Sequence, residues 1–287
     1  IAIALDAVAA RLGLPRVQIE ELAAPDYGME TVGRMERVFG ECRAIVSLGG
    51  EVGSTAVTLT WFDAKGRALK SPPAAVRRES AAELKELKQT VTDIQKMLSA
   101  QRSRLDSLFG EDREWLLAFW REAYLDHALI GTLARRLIWT FSDDGHETTA
   151  TWLADSGAPA SPATGGLVTV DGEEFTPSPG SKVRLWHPML SSSRSGGAGV
   201  REDAARWQAF FEDRRIRQPF KQAHRETYPL TDAERTTGTF SNRFAGHIVR
   251  QHMFNALCAE RGWAHRLRLC VDADYKAAHK VFPAAGL

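Results

Sequence analysis

Between Phe240 and His252, "FSNRFAGHIVRQH" gathers Asn242, Arg243, His247, Arg250, Gln251 and His252 among mostly apolar neighbours. Two histidines invite a metal reading. On a helix, however, each residue turns about 100°, so positions five apart point about 140° away from one another. H-x-x-x-H spacing is absent, and no Asp or Glu lies between Phe240 and His252 to complete a ligand set or act as a base. No metal ligand is assigned. On the same helical wheel Arg243, His247, Arg250 and Arg261 fall within about 60°, a cationic stripe suited to an anion. Ser241 reads as the N-cap, and Arg243 falls in the first turn, where the helix dipole disfavours a cation unless an anion is close.

A second constellation precedes it. "IRQPFKQAHRETY" sets Gln218, Lys221, Gln222 and Arg225 around Pro219, which forces Gln218 out of helical geometry. Such a turn either cradles an anion or is a connector anchored by Phe220 and Tyr228. From Arg214 to Arg268 there are eleven Lys or Arg against four acids, a local charge near +7 in a chain whose net charge is +1. Two readings follow. One is a pocket for an oxyanion or nucleotide, with Arg243 and Arg250 as clamps, His247 as a donor, and Gln218, Gln222, Asn242 and Gln251 fixing orientation. The other pairs these arginines internally with acids of the long helix or of "REDAARWQAFFED".

Other chemistry is sparse. His187 in "LWHPML" ends a strand and reads as structural more readily than catalytic. His127 follows Asp126 directly, and adjacent helical residues do not face each other. No nucleophile elbow, Walker loop, dinucleotide fingerprint or kinase set is present, and "SLGGEVGST" lacks the lysine of a phosphate loop. The cofactor is therefore left unknown. Cys42, Cys258 and Cys270 are odd in number and outside C-x-x-C spacing, which fits a reducing cytoplasm. Thirty-seven basic and thirty-six acidic residues leave no chain-wide attraction for nucleic acid or an anionic membrane. Trp263, Phe240 and Tyr228 interleave with the basic stretch, but no recognised nucleic-acid module accompanies them. No apolar run approaches the roughly 20 residues that span a bilayer.

The elements that must position these residues make an α+β chain, helix-rich, with one long amphipathic helix and small antiparallel sheets. "IAIALDAVAARLGLP" and "METVGRMERVF" read as helices, then "CRAIVSLGG" and "STAVTLTWFDAKGRALKS" as strands turning at "DAKG". From Pro72 to Phe109, Val76, Leu84, Leu87, Val91, Ile94, Leu98, Leu105 and Leu108 recur at helical spacing. "DREWLLAFWREAYLDHALIGTLARRLIWTF" reads as a buried helix running into a strand at 137–141, followed by strands in "ETTATWLA", "LVTVDG" and "SKVRLWHP". Residues 191–199 read as a mobile loop, followed by helices in "REDAARWQAFFEDRR" and "TDAERTTG", the helix of the opening feature, and a last strand in "AHRLRLCVD". Three regions result: 1–71, 72–190 and 200–287, the last packed on the core of the second.

The succession "VTLTWFDAKGRALKSPPAAVRRE", "ARRLIWTFSDDG", "VRLWHPM", "IRQPFKQAHRETYPL" and "TGTFSNRFAGHIVRQHMFNALCAERGW" resembles a bacterial domain of unknown function found in molybdate metabolism regulator (MolR)-like proteins, often beside a WGR domain. The resemblance spans roughly residues 45 to 275. It implies a cytoplasmic bacterial multidomain protein of unassigned chemistry, of which this chain is a fragment. It gives no roles to individual residues. The leading expectation is a regulatory or interaction domain that binds an anionic small molecule or nucleotide beside other domains of a longer chain. An enzyme using His247 as acid/base on a phosphorylated or nucleotide substrate is one alternative. A structural module is the other.

Overall fold

The computed structural model describes residues 7, 10, 11, 16–49, 57–111, 113–154, 165–188, 199–226, 231–238, 241–243, 245–265 and 278–281. After α1 (Arg16–Leu22) comes an antiparallel meander of β1 (Arg34–Phe39), β2 (Cys42–Leu48), β3 (Val57–Phe62) and β4 (Ala68–Leu69). Met35, Phe39, Ala44, Ile45, Val46 and Trp61 are its buried side chains, with the Phe39 and Trp61 rings 5.2 Å apart. The expected turn is present at Asp63–Gly66, where the Asp63 carboxylate accepts from the Lys65 and Arg67 amides. The expected helix over "METVGRMERVF" is not. Its second half is β1, paired residue by residue with β2 from Arg34↔Ser47 to Phe39↔Cys42, and cross-strand pairing outweighs a short run's helical spacing.

The long amphipathic segment is helical, broken once at Ser80 (φ −121°, ψ 40°) into α2 (Ala74–Glu79) and α3 (Ala81–Ser107). Leu84, Leu87, Ile94, Leu98 and Leu105 bury one face of α3, the stripe their spacing predicts. A short 3₁₀ turn (Leu108–Gly110) follows.

The aromatic stretch is no single helix. It divides into β5 (Trp115–Leu116), α4 (Leu117–Trp120), a π-turn (Arg121–Leu125) and α5 (Gly131–Ala134). Then come β6 (Trp139–Asp143), β7 (His146–Ala154), β8 (Gly165–Val168), β9 (Glu174–Phe175) and β10 (Lys182–Leu185). With β5 they form a second antiparallel sheet, in the order β5-β10-β6-β7-β8-β9. α6 (Gly199–Asp213), α7 (Asp232–Thr237) and α8 (Gln251–Glu260) complete the chain.

Helix-rich is therefore the wrong description. Two antiparallel sheets of four and six strands form the frame, and among the described residues only α1, α3, α6 and α8 reach seven residues. Segments with apolar residues on every side form strands or single turns whose side chains are buried in one shared apolar cluster. One apolar cluster runs from Met35 and Trp61 of the first sheet, through α3, to Trp120, Trp139 and Phe141. A second lies where Trp207, Phe210 and Phe211 of α6 meet Ile138 and Trp186. Most of residues 1–15, the loop expected at 191–199 except Gly199, which opens α6, and the last expected strand beyond His265 lie outside the described residues. No described helix is long and apolar enough to cross a membrane.

Candidate functional site

Four of the polar residues singled out by sequence, Gln218, Gln222, Arg225 and Arg243, are drawn into the protein's own bonding. Gln222 is buried, and its carboxamide accepts from Ile138 N at 2.8 Å while donating to the carbonyls of Ile138 (2.9 Å) and Trp186 (2.8 Å). It behaves as one peptide unit of an extra strand. Gln218 donates to Gln222 Oε1 (2.9 Å) and accepts from Ala223 N (2.8 Å), so both amides serve the sheet. Arg225 pairs with Asp106 of α3 and lies 4.3 Å over Phe109, on which the His187 ring also stacks. Lys221 is exposed.

The helix expected over "FSNRFAGHIVRQH" begins only at Gln251. Gly246 has φ +84° and Arg250 is extended at ψ 134°, so the wheel that aligned Arg243, His247 and Arg250 does not exist. Asn242, His247, Arg250 and Gln251 are exposed. Arg243 donates to Glu234 at 2.7 Å. Glu234 also closes the capping box of α7 with Thr231 and accepts from the Ser241 hydroxyl, so Ser241 caps no helix. These bonds, the Ser241 hydroxyl first, hold the Glu234 carboxyl down to about 2. Burial on several sides was expected for this segment, yet Ile248 is 97% exposed and Met253, Phe254 and Leu257 also face outward.

A different constellation is assembled where the two sheets meet. Gly33 N donates to Ala128 O (2.8 Å) and Leu48 N to Gly33 O (2.9 Å), which ties the end of the first sheet to the entry of α5. Gly131 makes the approach close: a Cβ there would lie 2.7 Å from Leu125 O and 2.9 Å from Val32 Cγ1. The resulting cleft holds about 740 Å³, within the ~300–1,000 Å³ of small-molecule sites. Its walls are Val32, Leu48 and Gly49 from the first sheet's end, Gly131 and Thr132 from α5, Trp152 to Ala154 from β7, and Ile216 after α6. Arg135, Arg136, Arg214 and Arg217 complete the lining.

Each guanidinium is held differently. The π-turn delivers the Leu125 carbonyl to Arg135 Nε (2.9 Å), Asp126 Oδ1 lies 3.5 Å from Nη2, and the Arg135 guanidinium sits 4.5 Å over the Trp152 ring. Arg136 donates to two carbonyls, Thr132 (2.9 Å) and Arg217 (3.2 Å), which ties the cleft floor to its rim. Arg214 lies over the Phe210 ring at 3.9 Å. Among the described residues only Arg135 of these four has a carboxylate in ion-pair distance. Burial lowers the Arg135 pKa against the opposing pull of Asp126, and lowers that of Arg136. Both are cations in a desolvated place, and an anion would relieve that cost. By sequence "LARRLIW" reads as a buried helix running into a strand, with no role for its arginines. The signal it carried was two arginines in an apolar run, because a cation placed there must find a partner.

A larger depression of about 890 Å³ beside the β6–β7 turn is lined by Asp143, Asp144 and Glu147. Its charges are partly met, Glu147 by Arg184 at 2.7 Å and Glu114 by Lys182 at 3.6 Å. Among the described residues no three His, Cys, Asp or Glu side chains converge as metal ligands.

Residues 66–263 match the domain of unknown function DUF4132. The chain belongs to that family. No curated protein and no solved structure matches it. Most of the arginine cleft, from Gly131 to Arg217, lies inside the DUF4132 stretch, whereas Val32, Leu48 and Gly49 lie before it.

Proposed function

We propose that this chain is a ligand-binding domain of a larger regulatory protein, and that it takes a small oxyanion-bearing molecule in the cleft between its sheets. One observation carries the reading: four guanidiniums line a single cleft, and among the described residues only Arg135 has a carboxylate partner. Guanidinium forks suit phosphate and carboxylate, and partial burial strengthens such bonds. Binding is favoured over catalysis because, among the described residues, no His, Cys, Asp, Glu or Lys lines the cleft, and the one hydroxyl among them, on Thr132, donates to Leu129 O at 2.7 Å. His247 is not among its lining residues, so nothing favours the acid/base role. The resemblance to molybdate metabolism regulators adds tetrahedral oxyanions, molybdate included, to the ligands worth testing, and a cytoplasmic setting and association with further domains belong to the same reading.

The test is thermal unfolding at matched ionic strength with phosphate, molybdate, AMP and phenyl phosphate, on wild type and on an Arg136→Met/Arg217→Ala variant. At least one probe is expected to raise the wild-type Tm, since a ligand at about 100 times its Kd stabilises by roughly 2.7 kcal/mol. The gain should largely vanish in the variant. Equal gains in both proteins would move the site elsewhere.

A further inference from the structure

The lining of the cleft discriminates among anions. Its walls are Val32, Leu48, Trp152, Leu153 and Ile216, with guanidiniums at floor and rim. Among the described residues, no Asp, Glu, Asn or Gln side chain is part of that lining. A nucleotide carries ribose hydroxyls and, in most bases, an exocyclic amine, and each donor buried here would lack a side-chain acceptor beyond the Thr132 hydroxyl. Buried donors without partners are a strong basis for rejecting a ligand. Nor does Trp152 present a free ring for base stacking on the face that Arg135 covers at 4.5 Å.

Size removes the opposite extreme. The cleft's 740 Å³ is many times the ~10–15 Å³ of such space that one water needs, far more than a bare tetrahedral oxyanion fills. An ion alone would leave the apolar walls wet. The part of the ligand that meets Val32, Leu48, Leu153 and Ile216 must therefore itself be apolar.

Resting on the reading of the cleft as an oxyanion site, we infer that its ligand is an amphiphilic anion, a phosphate or carboxylate head on an aliphatic or aryl body, rather than a nucleotide or an inorganic ion. The head meets Arg136 and the rim guanidiniums of Arg214 and Arg217, and the body lies against the walls. Soluble acyl or aryl phosphates and carboxylates share this chemistry with the anionic lipids of a membrane.

The experiment is calorimetric titration of the full chain with octyl phosphate below its micellar concentration, phenyl phosphate, inorganic phosphate, AMP and uncharged octanol. Octyl or phenyl phosphate is expected to bind about tenfold or more tightly than inorganic phosphate, AMP and octanol, since burying each methylene strengthens binding severalfold. Arg217→Ala and Arg136→Met should each weaken that binding by about tenfold. Arg217 is exposed, so its variant keeps the test valid if Arg136→Met does not fold. Flotation with phosphatidic acid vesicles separates the sources: flotation lost in Arg217→Ala makes the ligand a lipid, and octyl phosphate binding without flotation makes it a soluble compound. If AMP equals or beats octyl phosphate with the same arginine dependence, the amphiphile is refuted and the oxyanion site stands. If nothing binds, or binding ignores both arginines, both readings fall.

Discussion

A glutamine in a basic stretch reads as a ligand-fixing residue only while its neighbours are unknown. Gln222 meets Ile138 and Trp186, 84 and 36 residues away, and no local spacing predicts such partners. Arg225 is different, because pairing with an acid of the long helix was one of the two outcomes its charge allowed, and Asp106 is that acid. His187 was legible as a strand-end histidine but not as a pH-sensitive one. Burial first, then the nearby Arg225 charge, pushes its pKa down to about 4 from 6.5. Between those values the unfolded chain holds more protons than the folded one. Stability from this group is thus complete above pH 6.5 and is lost as pH falls toward about 4, in total roughly 3 kcal/mol. A His187→Phe variant should show a flatter dependence of the urea midpoint on pH across that window. Parallel curves for variant and wild type would mean that His187 does not carry this linkage.

Elements with regular alternation or a long periodic stripe were legible, as in β2, β3, β7 and α3. Their failures share a cause. "METVGRMERVF" and the stretch from Trp115 to Arg136 carry helical spacing that the paired strands and the π-turn override. "FSNRFAGHIVRQH" carries it too, but Gly246 at φ +84° costs a glycine little and ends the helical path. The cleft depends on one such irregularity at the end of α6. There Arg215 has φ +54°, with Arg215 N donating to Glu212 O (3.0 Å) and Ile216 N to Phe211 O (2.8 Å). Glycine is the usual residue at this place in a helix ending, because a side chain resists the left-handed conformation. Arg215→Gly is therefore expected to stabilise the fold by about 0.5–1 kcal/mol in urea denaturation, net of the entropy that glycine adds to the unfolded chain. Arg215 does not line the cleft, so octyl phosphate affinity should stay as in wild type. A loss of stability would mean that its side chain makes contacts outweighing the backbone strain.

At the scale of the molecule, residues before the DUF4132 stretch are part of what that stretch needs. Val32, Leu48 and Gly49 wall the cleft, and Glu21 of α1 is sunk into the core. Its carboxylate accepts from Tyr124 OH (2.7 Å), Arg113 Nη2 (2.7 Å) and Trp115 Nε1 (3.3 Å), with Arg104 Nη1 at 3.7 Å. These partners come from α3, the chain before β5, β5 itself and the π-turn, so one side chain ties α1 to four parts of the fold. None of this showed in the sequence, where Glu21 is one of two adjacent acids in "QIEEL" and its partners lie up to 103 residues away. Glu21→Gln would keep the shape but remove a buried anion from two half-buried guanidiniums, and breaking a buried ion pair in this way costs up to about 3–5 kcal/mol. Urea denaturation should register that loss. Adding Arg113→Met to Glu21→Gln should cost less than the two single changes summed, because it removes a cation that the first substitution left unpaired. Strict additivity would instead mean that Glu21 and Arg113 act independently and that the cluster is no network.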